Sequence, residues 1–145
     1  MPMKLERRDI EDLLPHRTPI LLPEAIDIDT PGKSGTGRLR LPASNLLWDA
    51  WDGTRLADEL ILEGAAQVFG TVMSTDPVRP AGDGKGQRLL LSFDSVEFQG
   101  IANPSEEILV EVKVEGRFGA MSVGRFSASQ DGKPLATGKI GVMGG

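Results

Sequence analysis

The apolar positions of the chain follow two different periods. From Leu56 to Met73, in "LADELILEGAAQVFGTVM", they recur every three or four residues, which predicts a helix. Apolar residues cover more than half of its circumference, so we expect the helix to be buried on more than one side. A shorter helix is predicted in "ERRDIEDLLP", where Ile10, Leu13 and Leu14 share one side and Pro15 ends the pattern.

The other segments predict strands. "PILLPEAIDID" and "SGTGRLRLP" alternate in part around the turn signal "DTPGK", and four strand-like runs follow the long helix. These runs are "RLLLSFDSVEFQG", "EILVEVKVEG", "AMSVGRFSASQDG" and "KPLATGKIGVMGG". Short turns such as "QDGK" join consecutive strands as hairpins, so the sheet is expected to be antiparallel. The order of elements predicts an α+β fold, in which about six strands wrap around one central helix in a single domain over residues 1–145.

Composition removes several classes of function. The 145 residues include no cysteine and one histidine, which excludes thiol nucleophiles, disulfides and sulfur-bound zinc, and a metal site would have to be built almost wholly from carboxylates. We expect no metal and no cofactor. A formal charge of -5 opposes binding to nucleic acid. No apolar run is long enough for a membrane span, and the charged N-terminus does not resemble a secretion signal, so we expect a cytoplasmic protein.

Glu63 lies in the middle of the apolar helix, and a carboxylate there needs a reason. It can be structural, either at a dimer contact or hydrogen-bonded to Gln67 one turn later. Alternatively, it can exchange protons with a substrate as a general acid or base. The residues alone leave both readings open.

Several segments, in this order, resemble the 3-hydroxyacyl-acyl-carrier-protein dehydratases of the hot-dog fold. They are "LPHRTPILLPEAIDIDTPGK", "ELILEGAAQ", "VEFQGIANPSEE" and the alternating C-terminal hairpin. The resemblance implies a homodimer or higher oligomer whose sheets join edge to edge, with acyl chains bound in tunnels at the interface. It also implies an acyl-carrier-protein or coenzyme A thioester as substrate, the carrier protein as partner, and loss of water from a 3-hydroxyacyl group.

The resemblance assigns roles to particular positions. Glu63 takes the place of the catalytic acid, and Gln67 that of the glutamine that supports it. The family carries a histidine in the loop before the helix, whereas "LLWDAWDGTRLADE" has none, and an ungapped overlay places Asp49 there. A slip of the alignment would offer Asp52 instead. Asp58 replaces the glycine whose amide helps bind the thioester oxygen in the family, which brings negative charge to a site that stabilises an oxyanion.

The remaining candidates have both a functional and a structural reading. His16, in "LPHR", is expected to hold the N-terminal segment by hydrogen bonds. Trp48, Trp51 and Phe98 are expected to line the acyl tunnel, although aromatic residues can equally close the core. Four arginines are candidates for contacting a phosphate or an acidic carrier protein, or are scattered surface residues; they are Arg79, Arg88, Arg117 and Arg125.

The function expected from the sequence is therefore that of a divergent dehydratase-like lyase that uses Glu63. One alternative is a hot-dog thioesterase that uses Glu63 with Asp49. Another is a subunit without activity of its own, which binds an acyl carrier protein or pairs with an active homologue.

Overall fold

The described residues form one sheet and two helices, as seen in a computed structural model. The structure describes residues 3–14, 22–41, 53–77, 90–103 and 106–143. The elements, in chain order, are β1 (Met3–Glu6), α1 (Arg7–Leu13), β2 (Pro23–Thr30), β3 (Ser34–Arg40), α2 (Gly53–Ser74), β4 (Leu90–Phe98), β5 (Glu107–Phe118), β6 (Met121–Gln130) and β7 (Lys133–Met143).

All strand pairs of the sheet are antiparallel, and the spatial order is β1-β2-β3-β5-β6-β7-β4. The predicted α+β fold is therefore confirmed. The predicted number of about six strands was too low, because the sheet has seven. The additional strand, β1, has four residues and pairs with β2 alone, so it is too short to show a period in the sequence.

Two turns follow directly from their residues. In the β2–β3 turn, Pro31 is followed by Gly32 at φ +76°, and the amide of Lys33 donates to the carbonyl of Thr30 at 2.9 Å. This is the pattern of a type II turn. In the β6–β7 turn, Asp131 and Gly132 both have positive φ, as a type I′ hairpin requires, which confirms the hairpin predicted from "QDGK".

Helix α2 packs on one face of the sheet, against β2, β3, β5 and β6. The alternation in β5 sends Val110 and Val112 into this core and leaves Glu111 and Lys113 on the opposite face. On the helix, Ile61, Val68, Phe69 and Val72 are buried in the same core. The predicted burial of the central helix is confirmed.

The helix lies close to the sheet because glycines occupy the contact points. A Cβ atom at Gly37 of β3 would collide with the side chain of Val68, and one at Gly64 of α2 would collide with Leu39. Because glycine has no Cβ atom, the two backbones approach closely, and this sets the distance between α2 and β3. Gly64 directly follows Glu63, so this contact also sets the height of the carboxylate above the sheet.

The C-terminal end of α2 is fastened to the sheet by Arg117. Its guanidinium lies 3.2 Å from the carboxylate of Asp76, and both side chains are only 19% exposed. The same guanidinium donates to the carbonyl of Met73 in the last turn of the helix, at 3.4 Å. The Met73 carbonyl thus accepts two hydrogen bonds, one from the Arg117 guanidinium and one from the backbone N–H of Asp76 at 3.2 Å. Among the described residues, no helix has the length and apolar character that crossing a membrane requires.

Candidate active site

Glu63 is half-buried on α2, and an amide holds its carboxylate in place. Gln67 follows one turn later on the same side of the helix, and its Nε2 donates to Oε1 of Glu63 at 3.1 Å. The structure thus brings together the two residues that the sequence paired. This hydrogen bond holds the Glu63 carboxyl group in one orientation on the helix.

The orientation of the Gln67 amide is fixed by a second partner. Its Oε1 accepts from the backbone N–H of Leu22 at 2.8 Å, just before β2 begins. A backbone N–H can only donate, so the oxygen of the amide must face Leu22 and the nitrogen must face Glu63. Glu63 is therefore connected, through one side chain that is 1% exposed, to the first residues of the sheet.

This connection was not visible in the sequence. Leu22 and Gln67 are 45 positions apart, and a backbone amide carries no signature in the one-letter code. The only available signal was Gln67 itself, a polar residue amid apolar neighbours on a helix predicted to be buried. Its burial requires partners for both ends of the amide, because an unpaired polar group in a core is costly.

The structure tests only part of the predicted site. Asp49, Asp52, His16, Trp48 and Trp51 lie outside the described residues, as do Arg79 and Arg88, so their roles stay predictions. Asp58 is half-buried on α2, but it lies five residues before Glu63, about 140° around the helix axis. The two carboxyl groups therefore do not share one face of the helix.

Phe98 ends the edge strand β4 opposite Ala136, which belongs to the core. Residues directly opposite each other share a face of the sheet, so Phe98 lies on the helix side. Its side chain is 43% exposed at the edge. This position is compatible with a tunnel that a second subunit completes, and the predicted role of Phe98 stays a prediction.

Of the four candidate arginines, the two that the structure describes do not form one cluster. Arg117 lies opposite the buried Ser122 and pairs with Asp76 on the helix side of the sheet. Arg125 lies on the other face, where its Nε is 2.9 Å from Glu115. Because the sheet separates them, these two side chains do not contact one phosphate group together.

The described residues contain no group of three or more histidine, cysteine or acidic side chains placed to hold a metal ion. A groove of about 680 Å³ lies on the face of the sheet away from α2, and Lys113, Arg125 and Thr137 are among its lining residues. Glu63 does not line it. The Glu63–Gln67 pair and this groove thus lie on opposite faces of the sheet. We place the candidate active site at Glu63, because an open groove between exposed charges excludes water less well.

The chain is similar in sequence to known dehydratases. The chain is 29% identical to a 3-hydroxyacyl-acyl-carrier-protein dehydratase FabZ from Thermoanaerobacter pseudethanolicus over 115 residues, 77% of each chain. It is 24% identical to the FabZ of Enterococcus faecalis over 144 residues, which cover 97% of this chain and 99% of the relative. The chain is thus similar to 3-hydroxyacyl-acyl-carrier-protein dehydratases over most of its length. No family model matches it.

Solved structures share the fold at lower identity. The dehydratase heterocomplex ApeI:P from Xenorhabdus doucetiae superposes with a TM-score of 0.67 at 17% identity, over 92% of this chain and 89% of that chain. The fluoroacetyl-CoA thioesterase FlK superposes with a TM-score of 0.54 at 13% identity, over 79% of this chain and 87% of the other. The hot-dog fold predicted from the sequence is confirmed, and it occurs in proteins named for both dehydration and thioester hydrolysis.

Proposed function

We propose that the chain binds acyl thioesters and acts as a divergent 3-hydroxyacyl-thioester dehydratase, with Glu63 as its acidic catalytic residue. The main support for this proposal is the half-buried Glu63 carboxylate. It accepts a hydrogen bond from the Gln67 amide, and the backbone N–H of Leu22 fixes the orientation of that amide. A carboxyl group held in this way is positioned to give up or accept a proton at one defined place.

Dehydration requires two proton transfers. A base removes the proton from C2 of the acyl chain, and an acid protonates the hydroxyl on C3, so that the C3–O bond breaks and water leaves. The electrons of the C2–H bond form the new double bond between C2 and C3. Glu63 is assigned the protonation of the hydroxyl, and the group that takes the C2 proton comes from the segment before α2, where Asp49 is our candidate.

The site is completed by a second copy of the chain in this proposal. The tunnel for the acyl chain forms between two subunits, with Trp48, Trp51 and Phe98 along it. The exposed position of Phe98 at the sheet edge supports this arrangement. The substrate is a thioester of an acyl carrier protein or of coenzyme A.

Two other functions have a specific observation in their favour. The fold of the fluoroacetyl-CoA thioesterase is similar, which keeps hydrolysis by Glu63 and Asp49 as an alternative. The similar structure named as a dehydratase heterocomplex supports a third possibility, since a chain whose predicted loop has no histidine would fit as one subunit of such a pair.

One experiment separates the three. The purified chain is incubated with 3-hydroxyacyl and saturated acyl thioesters, and enoyl absorbance and free thiol are followed together. Glu63→Gln keeps an acceptor for Gln67 but cannot exchange protons in the same way, so we expect turnover to fall by about 10²- to 10⁴-fold. Glu59→Gln, on the exposed turn before it, is the matched control and should keep wild-type turnover.

The outcomes are distinct. Enoyl product that depends on Glu63 supports dehydration, whereas free thiol that depends on Glu63 supports hydrolysis. Turnover only after a histidine-bearing dehydratase of the same organism is added supports the paired subunit. Equal turnover of Glu63→Gln and wild type would remove Glu63 from the mechanism. As a second test, Asp49→His should raise dehydration, and no gain would mean that Asp49 does not occupy the position of the family histidine.

A further inference from the structure

The backbone at the start of β2 is held by side chains from two helices. The Leu22 N–H donates to the buried Gln67 amide at 2.8 Å, which is the contact that orients this amide toward Glu63. The carbonyl of the next residue, Pro23, accepts from Nη1 of Arg7 in α1 at 2.9 Å. Leu22 and Pro23 are both buried. Two consecutive residues are thus fastened, one to α2 and the other to α1.

The end of β1 explains why a side chain is needed at Pro23. The last residue of β1, Glu6, pairs with Ala25, so β2 extends two residues past the end of its neighbour. A buried carbonyl that has no donor is costly. Arg7 directly follows β1, and its guanidinium supplies the donor that a longer β1 would have supplied.

The position of Arg7 is not explained by its own helix. Arg7 is the first residue of α1, where the positive end of the helix dipole disfavours a cation. Its side chain is nevertheless only 31% exposed, and its Nε lies 3.9 Å from Glu11 one turn later. The next residue, Arg8, has the same charge but is exposed, and it forms no hydrogen bond or ion pair within the part of the chain that the structure describes. The contact with the Pro23 carbonyl therefore distinguishes Arg7 from its neighbour.

The segment that Arg7 holds also supports the part of α2 that carries Glu63. Pro23 lies opposite Leu39 in the pairing of β2 with β3. A Cβ atom on Gly64 would collide with the side chain of Leu39, so helix and sheet are in close contact directly beside Glu63. A shift of the backbone at Pro23 would therefore reach the carboxylate both through Gln67 and through this contact.

We propose that Arg7 is a positioning residue for Glu63, an inference that rests on the proposed function. Arg7 acts through the backbone of Leu22 and Pro23, whose N–H orients the Gln67 amide. The path consists of three hydrogen bonds, which measure 2.9, 2.8 and 3.1 Å in order from Arg7. Without Arg7, the backbone shifts, the amide loses its fixed orientation, and the carboxyl group is no longer held at one place. Proton transfer is slower from a displaced group.

The proposal is tested by Arg7→Met, with Arg8→Met as the matched control. Both variants lose one positive charge in the first turn of α1, but only Arg7→Met loses the donor to the Pro23 carbonyl. With a 3-hydroxyacyl thioester, Arg7→Met should lower kcat by about tenfold and change KM by less than about twofold, because Arg7 is assigned no contact with the substrate. Arg8→Met should match the wild type in both. Arg7→Lys keeps a donor for the carbonyl and should lose less kcat than Arg7→Met.

A double variant separates positioning from a general loss of stability. In Gln67→Leu the path is already interrupted, so the addition of Arg7→Met should change the residual kcat by less than about twofold. All rates are compared at a temperature at which circular dichroism shows each variant to be folded. A lowering of kcat by the same factor in both backgrounds would mean that Arg7 does not act through Gln67, and would overturn the proposal.

Hydrogen exchange of the Leu22 amide, followed by NMR, tests the contact without any turnover. Arg7→Met should accelerate exchange at Leu22 by about tenfold or more, and Arg8→Met should leave it unchanged. An unchanged exchange rate in Arg7→Met, or wild-type kcat in that variant, would overturn the role of Arg7 alone. A wild type that turns over no thioester would refute the proposed function and this role together, so the two failures are distinguishable.

Discussion

Gln67→Leu removes the side chain that connects Glu63 to the beginning of β2. Leucine keeps the approximate volume in the core, so the change acts mainly on hydrogen bonds. Among the described contacts two are lost, one of 2.8 Å from the Leu22 N–H and one of 3.1 Å to the Glu63 carboxylate. The bond of Thr71 to the backbone carbonyl of Gln67 is unaffected, because it does not involve the side chain.

The magnitude follows from the groups left behind. The Leu22 N–H belongs to a residue that is 4% exposed, and a buried donor without a partner costs about 1–3 kcal/mol. Loss of the bond to the half-buried Glu63 side chain adds about 1 kcal/mol. We therefore expect the free energy of unfolding to fall by about 2–4 kcal/mol.

Urea denaturation followed by circular dichroism at the helix band measures this change. Glu63→Gln is the matched control, since its amide oxygen still accepts from Gln67, and it should stay within about 0.5 kcal/mol of the wild type. A Gln67→Leu variant as stable as the wild type would mean that the buried connection contributes nothing. Gln67 would then not be the residue that positions Glu63.

Two further predictions concern the contacts that hold α2 on the sheet. Gly37→Ala places a methyl group against Val68, which should lower the free energy of unfolding by about 1–3 kcal/mol. Urea denaturation measures this change, and an unchanged midpoint would show that the helix can move away from the sheet at no cost in stability. Arg117→Met removes the pair with Asp76 and the contact with the Met73 carbonyl, and should cost about 1–2 kcal/mol, because Asp76 keeps another partner. Lys133→Met in the exposed β6–β7 hairpin is its control, and equal stability of the two variants would contradict a role for Arg117 in fastening the helix.

The sequence by itself determined the class of fold. The alternation of Ile108, Val110 and Val112 selects a strand with one buried face, and the helical spacing of Ile61, Ala65, Val68 and Val72 selects a helix with a buried side. These periods are local properties of the backbone, so they are readable without tertiary information. Glycine at φ-positive turn positions is equally local, which is why the β6–β7 hairpin was predictable.

The tertiary structure decided what each polar residue does. Gln67 was recognisable as a partner of Glu63, because residues four apart on a helix are neighbours, but its second bond joins positions far apart in the chain. Likewise, Lys113, Arg125 and Lys139 are neighbours only because three strands align in one register. The register between strands depends on which segments pair in the folded chain. The pattern of apolar and polar residues along the sequence does not specify these pairings one by one, so the contacts between neighbouring strands could not be predicted from it.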